Sequence, residues 1–249
     1  MAVVWTTAFL DLPAPVHAVA TEFWRAVTGG TVSSSRGEDD QFATLLPPDG
    51  DAYLAVQRLG DAPRVHLDLH VDDVAHEADR AVTLGADVVL RADHVVLRSP
   101  GGFVLCLVPD RGERTRPAPV PDGHGAVLVD QVSLDVPAGG RAGELDFWSA
   151  FTRWPARTGS RPEMTVLDRP AGMPLRLMLH ELGADDPREV VTAHLDLACG
   201  PDVEQVAAHH VALGAARVAP GHGWTVLRDP AGAVYCLTGR DPVTGLVRP

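Results

Sequence analysis

A chain of 249 residues with 45% hydrophobic and 22% charged residues falls in the ordinary range for a globular protein, which excludes disordered and fibrous classes. Its formal net charge of −12 argues against an electrostatic grip on nucleic acid or on an anionic membrane surface, and leaves small molecules as the expected partners. Every basic residue is an arginine, so Schiff-base chemistry has no side-chain amine to use.

Taken in order, the chain opens with a strand at Phe9-Leu10-Asp11-Leu12. An amphipathic helix follows, carrying Val16, Val19, Ala20, Phe23, Trp24 and Val27 inward, with Pro13 and Pro15 early and Gly29-Gly30 as its stop. Strands are expected at 31–35, 41–46 and 52–59, with Pro47-Pro48-Asp49-Gly50 as a turn. A second unit repeats the order: the strand Arg64-Val65-His66-Leu67-Asp68-Leu69-His70-Val71, an N-cap at Asp72-Asp73, and a helix with Val74, Ala78, Ala81 and Val82 inward. That helix stops at Gly85, and strands follow at 87–90, 94–97 and 103–108. In the Arg64–Val71 strand, alternate side chains take opposite faces, so Val65, Leu67, Leu69 and Val71 form a core face and His66, Asp68 and His70 an expected wet one.

After a stretch rich in Pro, Gly and Arg at 109–125, the pattern is replayed. Ser133-Leu134-Asp135-Val136 and Ala193-His194-Leu195-Asp196-Leu197-Ala198 answer the two earlier strands, and Leu145, Phe147, Trp148 and Phe151 answer the first helix. Val203, Val206, Ala207 and Val211 before Gly214 answer the second helix, and His209-His210 is expected to be partly exposed. Leu213-Gly214-Ala215 repeats Leu84-Gly85-Ala86, and Asp229-Pro230-Ala231-Gly232 before Cys236-Leu237 repeats Ser99-Pro100-Gly101-Gly102 before Cys106-Leu107. The spacing from His66 to His194 and that from Cys106 to Cys236 differ by only two residues. The unit therefore occurs four times, two per half.

Three cysteines, Cys106, Cys199 and Cys236, are few and odd in number, which suits reduced thiols. Met1-Ala2-Val3-Val4-Trp5-Thr6 has no basic region ahead of the first strand, and no uncharged run reaches the ~18 residues of a membrane span. A cytoplasmic location is the expectation.

These residues resemble the vicinal-oxygen-chelate superfamily, which includes glyoxalase I, bleomycin-resistance proteins and extradiol dioxygenases, and within it the glyoxalase-like branch. The resemblance rests on Phe23-Trp24 and Phe147-Trp148, on Arg64 to Leu69, on the two Leu-Gly-Ala stops, and on Leu227-Arg228-Asp229-Pro230-Ala231-Gly232 through Tyr235-Cys236-Leu237. It implies an α+β fold of two tandem glyoxalase-like domains, 1–110 and 126–240, joined by a linker at 111–125. Each domain would hold two strand-helix-strand-strand-strand modules whose sheets curve into a cup.

In metal-binding members the ligands come from the first and last strands of both modules. By that resemblance the first domain offers Phe9, Gln57, His66 and Cys106, and the second offers Ser133, His180, His194 and Cys236. His180, His194 and Cys236 suit a three-ligand site for zinc, with iron, nickel or manganese as the other divalent candidates. Gln57, His66, Asp68, Cys106, Ser133 and Trp224 are the expected ligand-binding residues. Asp196 and Asp135 are candidate general bases if burial raises their pKa. The alternatives are plainer: buried cysteines packing as small hydrophobes, no bound metal, the repeated Asp as a structural acceptor, and Trp224 as an anchor under a loop.

The first functional expectation is sequestration of a small organic ligand, as bleomycin-resistance relatives suggest. The alternative is a metal-dependent lyase or isomerase acting on a small carbonyl or polyfunctional metabolite. An extradiol-type dioxygenase ranks behind both, because a two-His-one-carboxylate iron site is not evident. A monomer or a homodimer is expected.

Overall fold

The computed structural model describes residues 3–123, 125–221 and 223–247. Met1, Ala2 and His222 therefore lie outside the described residues. The first module comprises β1 (Trp5–Leu12), α1 (His17–Val27), β2 (Thr31–Val32), β3 (Phe42–Leu46) and β4 (Leu54–Arg58). The second comprises β5 (Arg64–Val71), α2 (Val74–Thr83), β6 (Asp87–Arg91), β7 (Val95–Arg98) and β8 (Val104–Pro109). In the stretch read as a linker, a short strand β9 (Val120–Pro121) pairs with the start of β10 (Ala126–Val136). The third module continues from β10 through α3 (Arg141–Thr152), β11 (Ala156–Thr158), β12 (Met164–Leu167) and β13 (Arg176–Glu181). The fourth comprises β14 (Thr192–Ala198), α4 (Val203–Ala212), β15 (Ala216–Pro220), β16 (Trp224–Arg228) and β17 (Val234–Thr238). All four modules therefore have the order read from the sequence, and the α+β class with tandem halves holds.

The strands run in the orders β2-β3-β4-β1-β5-β8-β7-β6 and β11-β12-β13-β10-β14-β17-β16-β15. The last strand of the even modules pairs parallel to the first, β8 with β5 and β17 with β14, while the remaining hairpins are antiparallel. Among the described residues no helix is long and apolar enough to cross a membrane.

By contact the chain falls into two compact units: Met1–Ala8, His66–Thr115 and Val132–Ala193 in one, Phe9–Val65, Arg116–Gln131 and His194–Pro249 in the other. The first unit gathers the middle two modules and the second gathers the outer two, so the contact units and the sequence halves cut the chain at different places.

The tryptophans account for this grouping. In the second unit Trp24 is fully buried, its ring centroid lies 5.2 Å from that of Tyr235, and its Nε1 donates to Asp229 Oδ2 at 2.8 Å. Asp229 Oδ1 in turn accepts from the backbone N–H of Ala231 and Ala233, which fixes the Asp-Pro-Ala-Gly turn. In the first unit Trp148, also fully buried, packs 6.0 Å from Phe103 and donates to Glu144 Oε2 at 2.8 Å. The other oxygen of Glu144 accepts from Gly101 N–H in the matching turn. Each indole thus does two jobs, filling the core and satisfying a buried carboxylate.

Local signals behave as their chemistry demands. Asp73 caps α2 by accepting from His76 N–H at 2.9 Å, and Gly85 and Gly214 follow α2 and α4 with φ of 101° and 114°, a left-handed stop that favours glycine. Three expectations fail. Val19, Val82 and Val211 face solvent, because the inward rows are taken by Ala20, Phe23 and Trp24, by Glu77, Ala78 and Ala81, and by Val206, Ala207 and His210. His210, expected at the surface, is 1% exposed, with Nδ1 at 2.9 Å from Tyr235 Oη. The polar face of β5 is not wet either: His66 and His70 are 6% and 4% exposed.

Two outcomes follow from this packing. Trp24→Phe keeps an aromatic ring but loses the pyrrole ring with its donor to Asp229, and should cost at least about 1–3 kcal/mol, read as a lower urea midpoint with an unchanged slope. Burial, with His209 adding to it and Asp122 opposing, pushes the His210 imidazole down to about 4 from an ordinary 6.5. Between those values the unfolded chain takes up a proton that the folded chain refuses, so stability should fall as pH drops from 6.5 toward 4, by roughly 3 kcal/mol at this residue. His17 and His70 are lowered in the same sense, again chiefly by burial. His210→Gln should therefore flatten, not abolish, the acid limb of a urea-stability profile taken from pH 7 to pH 4.

Candidate functional site

The parallel pairing in each even module sets up the same arrangement of side chains. On β5, His66 and Asp68 are two residues apart and so project from one face; Asp68 is the Cα partner of Cys106 on β8. On β14, His194 and Asp196 repeat the spacing, and Asp196 is the partner of Cys236 on β17. In each trio an imidazole nitrogen, a carboxylate oxygen and the thiol sulfur all lie within 4.8 Å of one another. His66 Nε2 stands 3.6 Å from Asp68 Oδ1, and His194 Nε2 stands 3.3 Å from Asp196 Oδ1. The first trio belongs wholly to the first unit and the second trio wholly to the second.

The surroundings of the two carboxylates differ. Burial pushes the Asp68 carboxyl above its ordinary value, against the opposing pull of His66, a hydrogen bond from Cys106, and the charges of His94 and Arg111. Asp196 is held more closely. Gln131 Nε2 donates to its Oδ2, and Arg240 Nη1 lies 3.8 Å from that oxygen. Arg240 itself is clamped by Asp130, through Nη2 to Oδ1 and Nε at 3.4 Å from Oδ2. Gln131 and Asp130 are 0% exposed and Arg240 is 7% exposed. Burial would lower the Arg240 pKa, but Asp130 and Asp196 outweigh it and leave the guanidinium above its ordinary range.

In the odd modules the same repeat position is an ion pair. Arg64 Nε donates to Asp11 Oδ2 at 2.6 Å, and Arg188 Nη1 donates to Asp135 Oδ2 at 2.9 Å. His180 Nδ1 is 3.4 Å from Asp135 Oδ1. Arg188 is held from behind by Asp186, whose carboxyl the guanidinium draws down to about 2.

Against the residues expected from sequence, the structure brings His66, Asp68 and Cys106 together, and likewise His194, Asp196 and Cys236. It places His180 with Asp135 in the first unit, in neither trio. Gln57, half-buried on β4 opposite Phe42, and Phe9, edge-on to Phe42 at 6.3 Å, belong to the second unit, whereas His66 and Cys106 belong to the first. Ser133 is fully buried on β10 in the first unit. Trp224 is half-buried and lies over Gly221, where a Cβ would overlap its indole. Sequence reasoning missed Asp130, Gln131 and Arg240. Their signal was the pair Asp130-Gln131 inside the otherwise apolar run Ala126 to Val132, since polar groups in a buried strand need partners.

The donor sets fit a divalent metal. Ligand bonds of about 2.0–2.3 Å place neighbouring donors some 3 to 4 Å apart around a tetrahedral ion, and both His–Asp separations fall in that range.

A family model described as a glyoxalase-like domain matches residues 7–108 and again 131–238. No curated protein matches. Among solved structures, the 2,3-dioxygenase LapB from Pseudomonas sp. KL28 is similar with a TM-score of 0.67 at 14% identity, covering 96% of this chain and 92% of that one. The Mn(II)-bound glyoxalase from Novosphingobium aromaticivorans is similar with a TM-score of 0.64 at 15% identity, covering 95% and 82%. The 2,2′,3-trihydroxybiphenyl 1,2-dioxygenase from Sphingomonas wittichii strain RW1 is similar with a TM-score of 0.61 at 16% identity, covering 96% and 92%. At these identities the likeness is one of fold.

Proposed function

This chain belongs to the glyoxalase-like domain family of the vicinal-oxygen-chelate superfamily, and from that premise we propose that it binds a small oxygen-bearing organic molecule beside one divalent metal ion held by His194, Asp196 and Cys236. The observation that carries the reading is the recurrence of a His-x-Asp pair facing a Cys, with donor atoms inside 4.8 Å, at matching positions of two modules. A thiolate, an imidazole and a carboxylate together favour zinc, with iron, nickel and manganese behind it. The Mn(II)-bound glyoxalase among the similar structures is consistent with a metal in this fold.

Such an ion supplies Lewis acidity, which polarises a carbonyl oxygen or acidifies a water. The chain's own part is to hold and orient. Asp196 serves as ligand in this scheme, not as general base, and His180 and Asp135 stand outside it. The activity that suits the site is a lyase or isomerase reaction on a small carbonyl metabolite.

Sequestration without metal is the second reading. It is favoured by the direct 3.3 Å approach of His194 Nε2 to Asp196 Oδ1, which lets the two groups answer each other with no ion between them.

Elemental mass spectrometry of protein purified without chelator separates the two. The metal reading expects a near-stoichiometric divalent ion that disappears in His194→Ala and is retained in His180→Ala. Protein that takes up no zinc, iron, nickel or manganese even after incubation with each would sink it and leave sequestration.

A further inference from the structure

The buried cluster Asp130–Arg240–Asp196–Gln131 is a group of charges that the trio alone does not explain. An arginine and two aspartates at 0% to 7% exposure carry desolvation costs that their mutual attraction only partly offsets, so such a cluster is a poor way to stabilise a core. What the cluster does achieve is orientation. Gln131 and Arg240 both address Oδ2 of Asp196, and Oδ1 is the oxygen turned toward His194. Asp130 fixes the guanidinium by two contacts, so the plane of Arg240 is set from behind. Neither support recurs in the other half. The repeat aligns Gln131 with Thr7 and Arg240 with Asp110; Thr7 bonds to His70 and Asp110 to Arg114, while Asp68 is addressed by His66 and Cys106 and feels the charges of His94 and Arg111.

We infer that Gln131 and Arg240 are positioning residues for a metal at His194, Asp196 and Cys236: they take Oδ2 of Asp196 and thereby aim Oδ1 at the ion, which makes the second trio the preorganised one and leaves the first without that support. This inference rests on the metal reading above. Groups that hold a ligand from outside the coordination sphere commonly contribute about 10- to 100-fold in metal affinity.

The test is zinc affinity of the full chain, stripped of metal and titrated against a competing chelator, with cobalt(II) absorption reporting thiolate contact. Gln131→Met keeps the volume but removes the donor. Arg240→Lys keeps the charge but loses the fork and serves if the first variant does not fold. The expected result is a zinc affinity about 10- to 100-fold weaker in Gln131→Met, with a smaller loss in Arg240→Lys and an altered cobalt–thiolate band. The metal-free proteins should melt several degrees below the parent, as a buried carboxylate that loses a donor requires, and His66→Ala should bind zinc as the parent does. Parental zinc affinity in both positioning variants, with His194→Ala still abolishing binding, would overturn the positioning role and leave the metal reading standing. A lowered metal-free melting temperature with unchanged affinity would mark the cluster as structural only and overturn it too. Binding lost in His66→Ala instead of His194→Ala would overturn the choice of trio, and no zinc binding by the parent would overturn both readings.

Discussion

The parallel pairing of the first and last strands in each even module is the constraint on which the site depends. A parallel ladder fixes which residues stand side by side and on which face. Because Asp196 is the partner of Cys236, and His194 lies two residues earlier on the same strand, three donors meet without any loop having to bring them together. The same holds for Asp68, Cys106 and His66. Moving either strand by one residue would send its side chains to the opposite face and dissolve the trio. A site on mid-sheet strands is also rigid, as a preorganised ligand set requires.

The fold was highly legible because the pattern recurs four times, and each copy corrects a misreading of the others. The two helix tryptophans were read as core and are. Which partners they meet was not legible: nothing near Trp24 in sequence announces Asp229, and nothing near Trp148 announces Phe103, because those contacts join different modules. Helix faces were misjudged where hydrophobicity was taken as the guide. Val82 is exposed while Glu77 is buried, since Arg80 pairs with Glu77 at 2.7 Å and makes burial of the carboxylate tolerable. His210 turned inward for a related reason, the hydroxyl of Tyr235.

For the two trios, the residue types were legible and the strand pairings that bring them together were not. His194 and Cys236 could be named from the repeat, but His180 was added to them by strand position alone, and its side chain is paired with Asp135. Asp196 was read as a candidate base on the condition that burial raises its pKa, with its repetition pointing to a structural acceptor instead. Its position opposite Cys236 is a matter of strand register, which alternation cannot supply between strands that are distant in sequence.

The four copies of that aspartate show how one scaffold position is put to different uses by its neighbours. In the odd modules it meets an arginine from the segment leading into the next strand, Arg64 for Asp11 and Arg188 for Asp135, and the carboxylate becomes a fixed anion. In the even modules the residue two places earlier is histidine and the facing residue is cysteine, so the same carboxylate joins a set of metal-type donors. Between the even modules the divergence continues at one position beyond the last strand, Asp110 in one and Arg240 in the other. A negative residue there turns outward to Arg114, and a positive one turns inward to Asp130 and Asp196. The repeat therefore supplies two similar trios, and Gln131 and Arg240 brace one of them where the aligned Thr7 and Asp110 turn to other partners.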